Sequence, residues 1–511
     1  MTTIKHHPWS LATAIALFTL YIGYKRLTTP PSSLAHLPRA DFFAVIRALI
    51  KETPADQVAK TITLPAANKA NHGLYVRFDN SGWTVRVTSP EAAKKLLLSH
   101  DLFPKARLQK KREGTIAGRL LVGPNVLFET GEKWKEHRKV ANPAFHRSMP
   151  VALFGRLMEK LLHGELITAT GDDGILNVHT LTTRWSLDAI GLSSFDFDFH
   201  ALDQIDNNPW VDRYHYLVAK AKNPLFFLFP ILEQKYLFLF PDRQNVHNEL
   251  SIFLGMMNDI ISKKKQLLQQ KDAVNNRADN EKDLLTLMIE AENDGQGRLS
   301  NDELLSNLCV FFLAGHDTTA SALAYAIYYL AVNPSAQDKA RKEALAVLGN
   351  DPIPSLDQMR SLSFINMVIK ETLRLNPPAV SIIPREATRD TELNGVFIPK
   401  GTRVSLDIID LQRNPAVWQD PDVFRPERFA PGGEAEQLTR NGMPWVPFSD
   451  GARKCIGSNF SLMEQRVFLT MLLREYEWSL PEDSIHNNGL ITHGLGATQP
   501  KDLYIKFAKR S

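Results

Sequence analysis

The hydrophobic pattern is helical over most of the chain, and only short stretches alternate in the way that strands do. Residues 74–88 alternate apolar and polar side chains and break at Asp79–Gly82, which predicts a β-hairpin. Residues 89–102 predict a helix, and from about residue 132 to 270 the pattern is mostly helical. The polar stretch Lys271–Asp283 has no apolar period, so we expect an exposed loop there.

The most clearly delimited helix is predicted in the second half of the chain. Ser300 and Glu303 form the S-x-x-E pattern of a capping box immediately before an apolar run. The helical pattern continues to Asn333, where Pro334 ends it, which gives roughly 33 residues and about 50 Å of helix. A helix this long and this apolar must be buried, so we expect it to cross the interior of the protein.

The remainder of the chain predicts two more helices and a few strands. The helices are expected from about Leu362 to Asn376 and from about Ser458 to Tyr476, and short strands are expected between Val380 and Ser405. Because helices dominate and strands are few and short, the pattern predicts a mainly α fold with small β-sheets. A doubly wound α/β fold does not fit this order of elements.

An uncharged apolar segment extends from Pro8 to Tyr24 and is followed by Lys25 and Arg26. Its length is near the lower limit of about 17–25 residues for a transmembrane helix, and the two cations favour a cytosolic body. A cleaved signal peptide and a buried core helix are alternatives, although the segment lacks a good cleavage site and an amphipathic pattern. We expect three parts: an N-terminal membrane anchor at 1–27, a Pro-rich linker at 28–35 and a single domain at 36–511.

An aromatic-rich stretch from Pro224 to Phe240 interrupts the helical pattern and is polar only at Glu233, Gln234 and Lys235. Two interpretations are equally compatible with this composition. The stretch is either part of the core or a loop that enters the membrane surface and admits apolar substrates.

The charge balance and the cysteine content exclude several classes of protein. The chain has 60 basic and 56 acidic side chains, and a net charge of +4 is too small to indicate nucleic-acid binding. Cys309 and Cys455 are the only cysteines, so a disulfide framework is not expected. Cys309 lies among apolar residues of the long helix and is typical of a small buried side chain.

Cys455 lies in a motif that indicates chemistry. Phe448, Gly451, Arg453, Cys455 and Gly457 fill every fixed position of the pattern F-x-x-G-x-R-x-C-x-G. The cysteine stands just before a predicted helix, whose N-terminal N–H groups and dipole favour a thiolate, the form that ligates iron. The two glycines omit side chains where the backbone must turn tightly and approach a flat macrocycle. The motif resembles the haem-binding loop of the cytochrome P450 family.

The resemblance covers about residues 36–507 and implies a haem b cofactor with Cys455 as the axial ligand of the iron. It further implies that Arg453 pairs with a haem propionate and that Phe448 packs beside the sulfur. Trp134 and Arg138, in a W-x-x-x-R spacing, and Arg385 are the other candidate propionate partners, because arginine binds carboxylates in a bidentate way. A surface cation is the alternative for each arginine.

A second motif lies in the middle of the long helix, from Ala314 to Thr319. It matches the family's A-G-x-[DE]-T-[TS], and Asp317 and Thr318 form an acid–alcohol pair that is suited to relaying protons. Glycine and the threonine pair are poor helix formers, so we expect a local distortion with room for dioxygen and a water. His316 occupies the variable position and is not expected to bind a metal.

A third motif is Glu371-x-x-Arg374, whose side chains share one helix face and can form a charge-assisted pair. Downstream, the sequence Pro426–Phe429 resembles the P-E-R-F segment of the family, which implies that Arg428 joins the pair in a buried network. We expect these three residues to support the fold rather than the chemistry.

The resemblance implies a microsomal haem-thiolate monooxygenase, similar to eukaryotic and especially fungal members, in the endoplasmic reticulum membrane with its domain in the cytosol. One atom of O2 would enter a C–H bond and the other would leave as water. Electrons would come from NADPH through a diflavin reductase, with cytochrome b5 as a further candidate partner. The candidate contacts of the reductase are Lys135, Lys139 and Lys454, and a solvated surface is the alternative for them.

The expected substrate is small and apolar, such as a steroid-like compound, a terpenoid, a fatty acid or a foreign aromatic compound. Matching segments suggest the following pocket residues, each of which would serve equally well in a core: Phe312, Ala314, Val380, Ile382, Ile383 and Leu495. Three other functions remain open from the sequence: a haem-thiolate isomerase or dehydratase, a haem-binding sensor without turnover, and a membrane protein without haem.

Overall fold

A computed structural model describes residues 8–79, 82–107, 112–147, 149–164, 174–203, 208–221, 223, 225–226, 229–270, 282–293, 299–494 and 496–510. The predicted loop at Lys271–Asp283 falls outside them except for its last two residues, and so does Leu495, which was predicted for the substrate pocket.

Helices account for most of the described chain, which confirms the mainly α prediction. The α-helices are α1 (Pro8–Thr28), α2 (Phe42–Ile50), α3 (Ala55–Val58), α4 (Leu64–Ala67), α5 (Pro90–Leu98), α6 (Ile116–Leu120), α7 (Gly131–Arg147), α8 (Val151–His163), α9 (Val178–Ile190), α10 (Pro209–Ala221), α11 (Pro230–Lys235), α12 (Pro241–Gln269), α13 (Leu284–Asn293), α14 (Asn301–Ala331), α15 (Pro334–Leu348), α16 (Leu356–Ser361), α17 (Phe364–Leu375), α18 (Ile408–Gln412), α19 (Glu434–Thr439) and α20 (Ser458–Glu475).

The strands are short, as predicted. They are β1 (Leu74–Asp79), β2 (Gly82–Val87), β3 (Ile175–Asn177), β4 (Arg385–Glu386), β5 (Thr391–Leu393), β6 (Val396–Ile398), β7 (Arg403–Leu406), β8 (Tyr476–Ser479), β9 (Thr492–His493), β10 (Gln499–Pro500) and β11 (Tyr504–Lys509). Strands β1 and β2 form the predicted hairpin, with Val76 opposite Val85. Single turns of 3₁₀-helix lie at Ser32–Leu34, Leu237–Leu239, Pro426–Phe429 and Gly451–Arg453, and π-helical turns lie at Ala59–Thr63 and Gly191–Phe195.

The chain forms two compact units, each assembled from separate segments. Unit 1 comprises Met1–Ala106, Ser381–Pro421 and Leu438–Trp445. It contains a four-stranded sheet in the order β1-β2-β7-β4, in which only β2 and β7 are parallel, and the hairpin β5–β6.

Unit 2 comprises Arg107–Val380, Asp422–Gln437 and Val446–Ser511, and its core is helical. Helix α14 packs along α9 and also against α20. The indole of Trp185 on α9 meets the ring of Phe468 on α20 edge to face, with ring centres 5.0 Å apart. Small sheets β3-β11-β8 and β9-β10 complete the unit.

The long helix α14 begins as the capping box predicts. The Ser300 hydroxyl accepts a hydrogen bond from the Glu303 N–H at 3.2 Å, and the Glu303 carboxylate accepts one from the Ser300 N–H at 2.9 Å. The helix ends at Ala331, two residues before the predicted end, and Pro334 starts the next helix instead of merely stopping this one. Nearly all side chains between Thr319 and Ala331 are buried, so this half is core as expected.

The apolar N-terminal segment is helical as far as Thr28, with Leu17 and Phe18 more than 60% exposed, so it is not a core helix. In the part of the chain that the structure describes, no helix combines the length and the apolar character that crossing a bilayer requires. A membrane-spanning role for residues 1–27 stays a prediction.

The aromatic-rich stretch around residue 230 does not form core, with the exception of Phe226. Its described apolar side chains are largely exposed, among them Phe229 at 54% and Phe238 at 67%. Glu233, one of its few polar residues, is only 3% exposed. Arg243, His247 and the N–H of Ile116 bind its carboxylate, and this explains how a charged side chain is buried here.

Candidate active site

The loop before α20 holds Cys455 at its tip. Gly451 has φ = +68°, a backbone conformation that favours glycine, and its N–H donates to the Asp450 carboxylate at 2.7 Å. The N–H of Cys455 donates to the Phe448 carbonyl at 2.9 Å and so closes the loop. Cys455 is exposed and is not in a disulfide, and α20 starts three residues later at Ser458. The loop thus presents a thiol next to a helix N-terminus.

Of the two glycines in this motif, only Gly451 has a backbone conformation that favours glycine. Gly457 has φ = −85°, which any residue adopts, and a Cβ atom there would make only an ordinary 3.7 Å contact with Phe145. The chain does turn at this position, since the Ser458 N–H donates to the Cys455 carbonyl at 3.4 Å, but this turn does not require a glycine. Close approach to a macrocycle stays as its predicted role.

Helix α7 packs its predicted residues against this loop. The guanidinium of Arg453 lies over the Trp134 ring, and its NH2 group donates to the Glu129 carbonyl at 2.8 Å. The Arg138 guanidinium donates to the Lys454 carbonyl at 3.0 Å. Burial lowers the pKa of Arg138, while the charge of Cys455 acts in the opposite direction. A guanidinium beside the cysteine favours the thiolate form.

The middle of α14 has one open side. Ala314 is exposed, in contrast to Phe312 and His316, which are fully buried. The Thr318 hydroxyl donates to the Ala314 carbonyl at 2.7 Å, one turn earlier. The segment is α-helical throughout, so the predicted distortion is not present as a break in the helix.

Phe312 is buried among other rings. Its ring is 0% exposed and lies 5.2 Å from the rings of both Phe199 and Tyr214 and 5.7 Å from that of Phe253. A contact between Phe312 and substrate stays a prediction. Ala314, on the open side of the helix, remains a candidate.

Asp317 has partners that the sequence did not indicate. The Tyr214 hydroxyl donates to its Oδ2 atom at 2.6 Å, and the His316 Nε2 atom lies 3.1 Å from its Oδ1 atom. Tyr214 belongs to α10 and is far away in the sequence, so no local pattern could have identified it. His316 is adjacent but was considered only as a metal ligand.

A buried carboxyl group joins α14 to α20. The Thr319 hydroxyl lies 2.9 Å from the Ser461 hydroxyl and donates to Glu464 at 3.3 Å. Burial raises the pKa of Glu464 well above its ordinary value. The sequence analysis did not single out this contact, although it ties the acid–alcohol helix to the helix behind Cys455.

The structure brings Glu371, Arg374 and Arg428 together in a buried network. Arg374 donates to both Glu371 oxygens at 2.7 and 2.8 Å, and Arg428 Nε donates to Glu371 Oε1 at 3.2 Å. The N–H of Arg425 and the carboxylate of Glu434 complete it, the latter bound to Arg428. None of the three predicted side chains is exposed to solvent.

Arg385 and two pocket candidates lie in unit 1. Arg385 is 2% exposed, and its NH1 group donates to the Phe103 carbonyl at 3.2 Å. Burial lowers its pKa to about 10, and no carboxylate of the described chain pairs with it. Ile382 and Ile383 are half-buried, and so is Val380 in unit 2.

Cys309 behaves as the sequence predicts. It is 1% exposed on α14, and burial raises the pKa of its thiol to about 12. A thiol of this kind stays protonated and does not compete with Cys455 as a ligand.

Residues 71–507 match a protein-family model with the description "Cytochrome P450". The chain belongs to the cytochrome P450 family. It is 31% identical over 387 residues to cytochrome P450 3A29 of Sus scrofa, which covers 74% of each chain. It is 26% identical over 466 residues to the cytochrome P450 monooxygenase xanG of Aspergillus fumigatus, which covers 88% of this chain and 83% of that one.

The fold agrees with this membership. The crystal structure of the cytochrome P450DA heme domain superimposes with a TM-score of 0.73, covers 90% of this chain and 95% of that chain, and shares 22% sequence identity. As a P450, the chain is a haem-thiolate oxidoreductase.

The observed groups fit a haem. An exposed thiol on a helix-terminal loop provides a ligand, and the exposed Ala314 offers a small apolar side chain on the open side of α14. The Nε atom of Arg385 is buried without a hydrogen-bond partner in the described chain, as expected of a group that awaits an anion such as a propionate.

Proposed function

We propose that the chain is a membrane-associated P450 monooxygenase that hydroxylates a small apolar substrate. The observation that carries the proposal is the Cys455 loop, in which a closed backbone turn presents an exposed thiol beside Arg138 and the N-terminus of α20. The family membership and the name of the Aspergillus fumigatus relative, a monooxygenase, support this reaction class.

Several residues of this chain would hold the haem. Cys455 would provide the thiolate that ligates the iron, with Phe448 and Gly457 beside it, and Arg138, Arg453 and Arg385 would bind the propionates together with Trp134. When bound, the haem supplies the activation of O2, of which one atom enters the substrate and the other leaves as water.

Asp317 and Thr318 would relay the protons that the reduction of O2 consumes. The Thr318 hydroxyl lies on the open side of α14 and already has an acceptor in the Ala314 carbonyl, so its proton position is defined. Asp317 is the adjacent acid, and together they would move protons to the place where O2 is reduced. Glu371, Arg374 and Arg428 would keep the surrounding helices in place.

The substrate would be steroid-like, terpenoid, a fatty acid or a xenobiotic compound. Ala314 and the half-buried Val380, Ile382 and Ile383 offer small or aliphatic surfaces for such a compound. Leu495 is a further candidate from the sequence alone.

Electrons would come from NADPH through a diflavin reductase, with cytochrome b5 as a second donor. Lys139 and Lys454 are exposed near the Cys455 loop, and Lys135 is exposed but paired with Glu132 at 2.7 Å. Free surface cations at this place suit an acidic partner, so Lys139 and Lys454 are the better contact candidates.

The endoplasmic reticulum membrane would be the location, with the domain in the cytosol. Residues 1–27 would form the anchor, residues 28–35 the linker and residues 36–511 the haem domain. The exposed Phe229 and Phe238 provide an apolar surface that suits contact with lipid.

The reaction class is tested with isotopically labelled O2. The purified protein, a diflavin reductase and NADPH are incubated with a panel of steroids, terpenoids and fatty acids, and products are examined by mass spectrometry. Incorporation of one labelled oxygen atom into a product is expected. A product that forms without label, or at the same rate without NADPH, would indicate an isomerase or dehydratase instead.

A further inference from the structure

The carboxylate of Asp317 is contacted on both oxygen atoms by side chains outside the acid–alcohol pair. Tyr214 donates to Oδ2 at 2.6 Å, and His316 Nε2 lies 3.1 Å from Oδ1, although the latter two atoms are not aligned for a hydrogen bond. Tyr214 is 2% exposed and His316 is 0% exposed. The Asp317 side chain is itself 36% exposed, so these contacts are shielded from water on the side of the two partners.

The ring of His316 has a defined proton arrangement. Its Nδ1 atom lies 2.6 Å from the Phe312 carbonyl, which can only accept, so Nδ1 must carry a hydrogen. In a neutral ring Nε2 then carries a lone pair and lies 3.1 Å from Asp317 Oδ1, without alignment for a hydrogen bond. Two electron-rich atoms this close repel each other unless one further proton lies on Nε2 or on the carboxyl group.

Tyr214 is itself fixed by packing. Its ring lies 5.2 Å from Phe312 and 4.7 Å from His316, and helix α10, which carries it, is bound to α12 through Arg213 and Glu249 at 2.7 Å. The hydroxyl therefore has little freedom to leave Asp317.

Several other titratable and charged groups surround this cluster. His179 on α9, His215 on α10 and His493 on β9 are all within electrostatic range of one another or of Asp317. Burial lowers the pKa of His179 to about 4 and also lowers that of His215. Arg184 and Asp212 are the other charged groups near this cluster.

We propose that Tyr214 and His316 are positioning residues that fix the orientation of the Asp317 carboxylate and keep one proton beside it, next to Thr318. The inference rests on the proposed monooxygenase function and adds two residues from outside its motifs. It involves no new covalent step, because the proton passes to and from the pair without other change.

The first test measures the contact without turnover. Tyr214→Phe, Asp317→Ala and the double variant are compared by thermal unfolding of the holoenzyme. We expect the effects on the unfolding temperature to be clearly non-additive, as for residues in direct contact. Tyr325→Phe, which removes another buried tyrosine hydroxyl from unit 2, is the matched control and should be additive with Asp317→Ala. Additive effects of Tyr214→Phe and Asp317→Ala would show that the two side chains do not interact.

The second test measures the consequence for protons, as the rate of NADPH consumption with a diflavin reductase in H2O and in D2O. Tyr214→Phe should lower the rate about fivefold, corresponding to the loss of one hydrogen bond, and should raise the solvent isotope effect. His316→Gln retains a donor near Nε2 and should stay close to wild type, while His316→Asn retains only the Nδ1 position and should behave like Tyr214→Phe.

The outcomes separate this inference from the proposed function. An isotope effect in Tyr214→Phe equal to that of Tyr325→Phe, or equal rates for His316→Gln and His316→Asn, would overturn the positioning role. If the wild type consumes no NADPH, the proposed electron supply fails, and the unfolding cycle alone then decides whether Tyr214 holds Asp317.

Discussion

The Arg453 guanidinium lies over the Trp134 indole, with its Cζ atom 3.9 Å from the ring centre. Together with the bond from Arg138 to the Lys454 carbonyl, this contact ties helix α7 to the Cys455 loop at two successive residues. Cation–π contacts and charged hydrogen bonds of this kind keep a loop in one conformation. The Cys455 loop is therefore held in place by Trp134 and Arg138, which lie in a distant part of the sequence.

Arg138→Ala is expected to weaken haem retention about tenfold, since the variant loses a charged hydrogen bond to the loop and a cation beside the thiolate. The haem content of the purified protein, relative to total protein absorbance, measures the effect. Lys139→Ala, which removes an exposed cation from the same helix, is the control and should retain wild-type content. Equal haem content in both variants would contradict the role assigned to Arg138.

Glu371→Gln is expected to destabilise the folded protein by about 3 kcal/mol or more, because Arg374 and Arg428 would lose the buried carboxylate that they share. The unfolding temperature and the yield of folded protein are the measurements. Asp338→Asn disrupts an exposed pair with Lys342 and should have almost no effect. A wild-type unfolding temperature for Glu371→Gln would show that the network does not support the fold.

Thr318→Ala should continue to consume NADPH but yield less product per NADPH, because the hydroxyl that donates to the Ala314 carbonyl is lost from the proton path. Thr318→Ser retains the hydroxyl and should restore most of the coupling. Product and NADPH are quantified in the same reaction. Unchanged hydroxylation in Thr318→Ala would remove Thr318 from the proposed relay.

Unit 1 contains two carboxyl groups whose pKa values move in opposite directions. Tyr75 donates to Asp407 at 2.7 Å and to Asp410 at 3.0 Å. Burial and the charge of Asp407 raise the pKa of Asp410 to about 7. Burial alone would also raise the pKa of Asp407, but Arg77 and Arg86 hold it below its ordinary value.

The raised pKa of Asp410 costs stability as pH rises. Below its ordinary value of 3.8, Asp410 is protonated in the folded and the unfolded chain and has no effect. Between this pH and about 7 the unfolded chain ionises first, so the folded state loses stability, and above 7 the loss is complete. Asp410→Asn should therefore gain unfolding temperature over the wild type in that interval and keep the gain at higher pH.

Asp407→Asn is the matched variant, and it is expected to lower the unfolding temperature. Two arginines stabilise the Asp407 carboxylate, so the decrease should be largest at neutral and alkaline pH. Unfolding temperatures of both variants and the wild type are recorded from acidic to alkaline pH. A constant difference between Asp410→Asn and the wild type over this range would contradict the assignment.

The sequence predicted best where the signal is local. The capping box at Ser300 and the hairpin at residues 74–88 depend on side chains a few positions apart, and the structure has both. The Cys455 motif is also contiguous, so its turn at Gly451 followed from the pattern.

Sequence analysis did not predict the burial of side chains where it depends on residues distant in the sequence. Phe312 and Ala314 are both apolar and two positions apart, but only the packing of Phe199, Tyr214 and Phe253 decides which of them is covered. Glu233 is buried because Arg243 and His247 come from the next helix. The Tyr214–Asp317 bond joins two helices and has no counterpart in either local pattern.

The central claim is that the deprotonated Cys455 binds the haem iron. The most direct measurement is the absorption spectrum of the reduced protein under carbon monoxide, for the wild type and for Cys455→Ser. The wild type is expected to show the absorption maximum of a thiolate-ligated haem, and Cys455→Ser should lose the haem or shift that maximum. A Cys455→Ser protein with full haem content and an unchanged maximum would contradict the account.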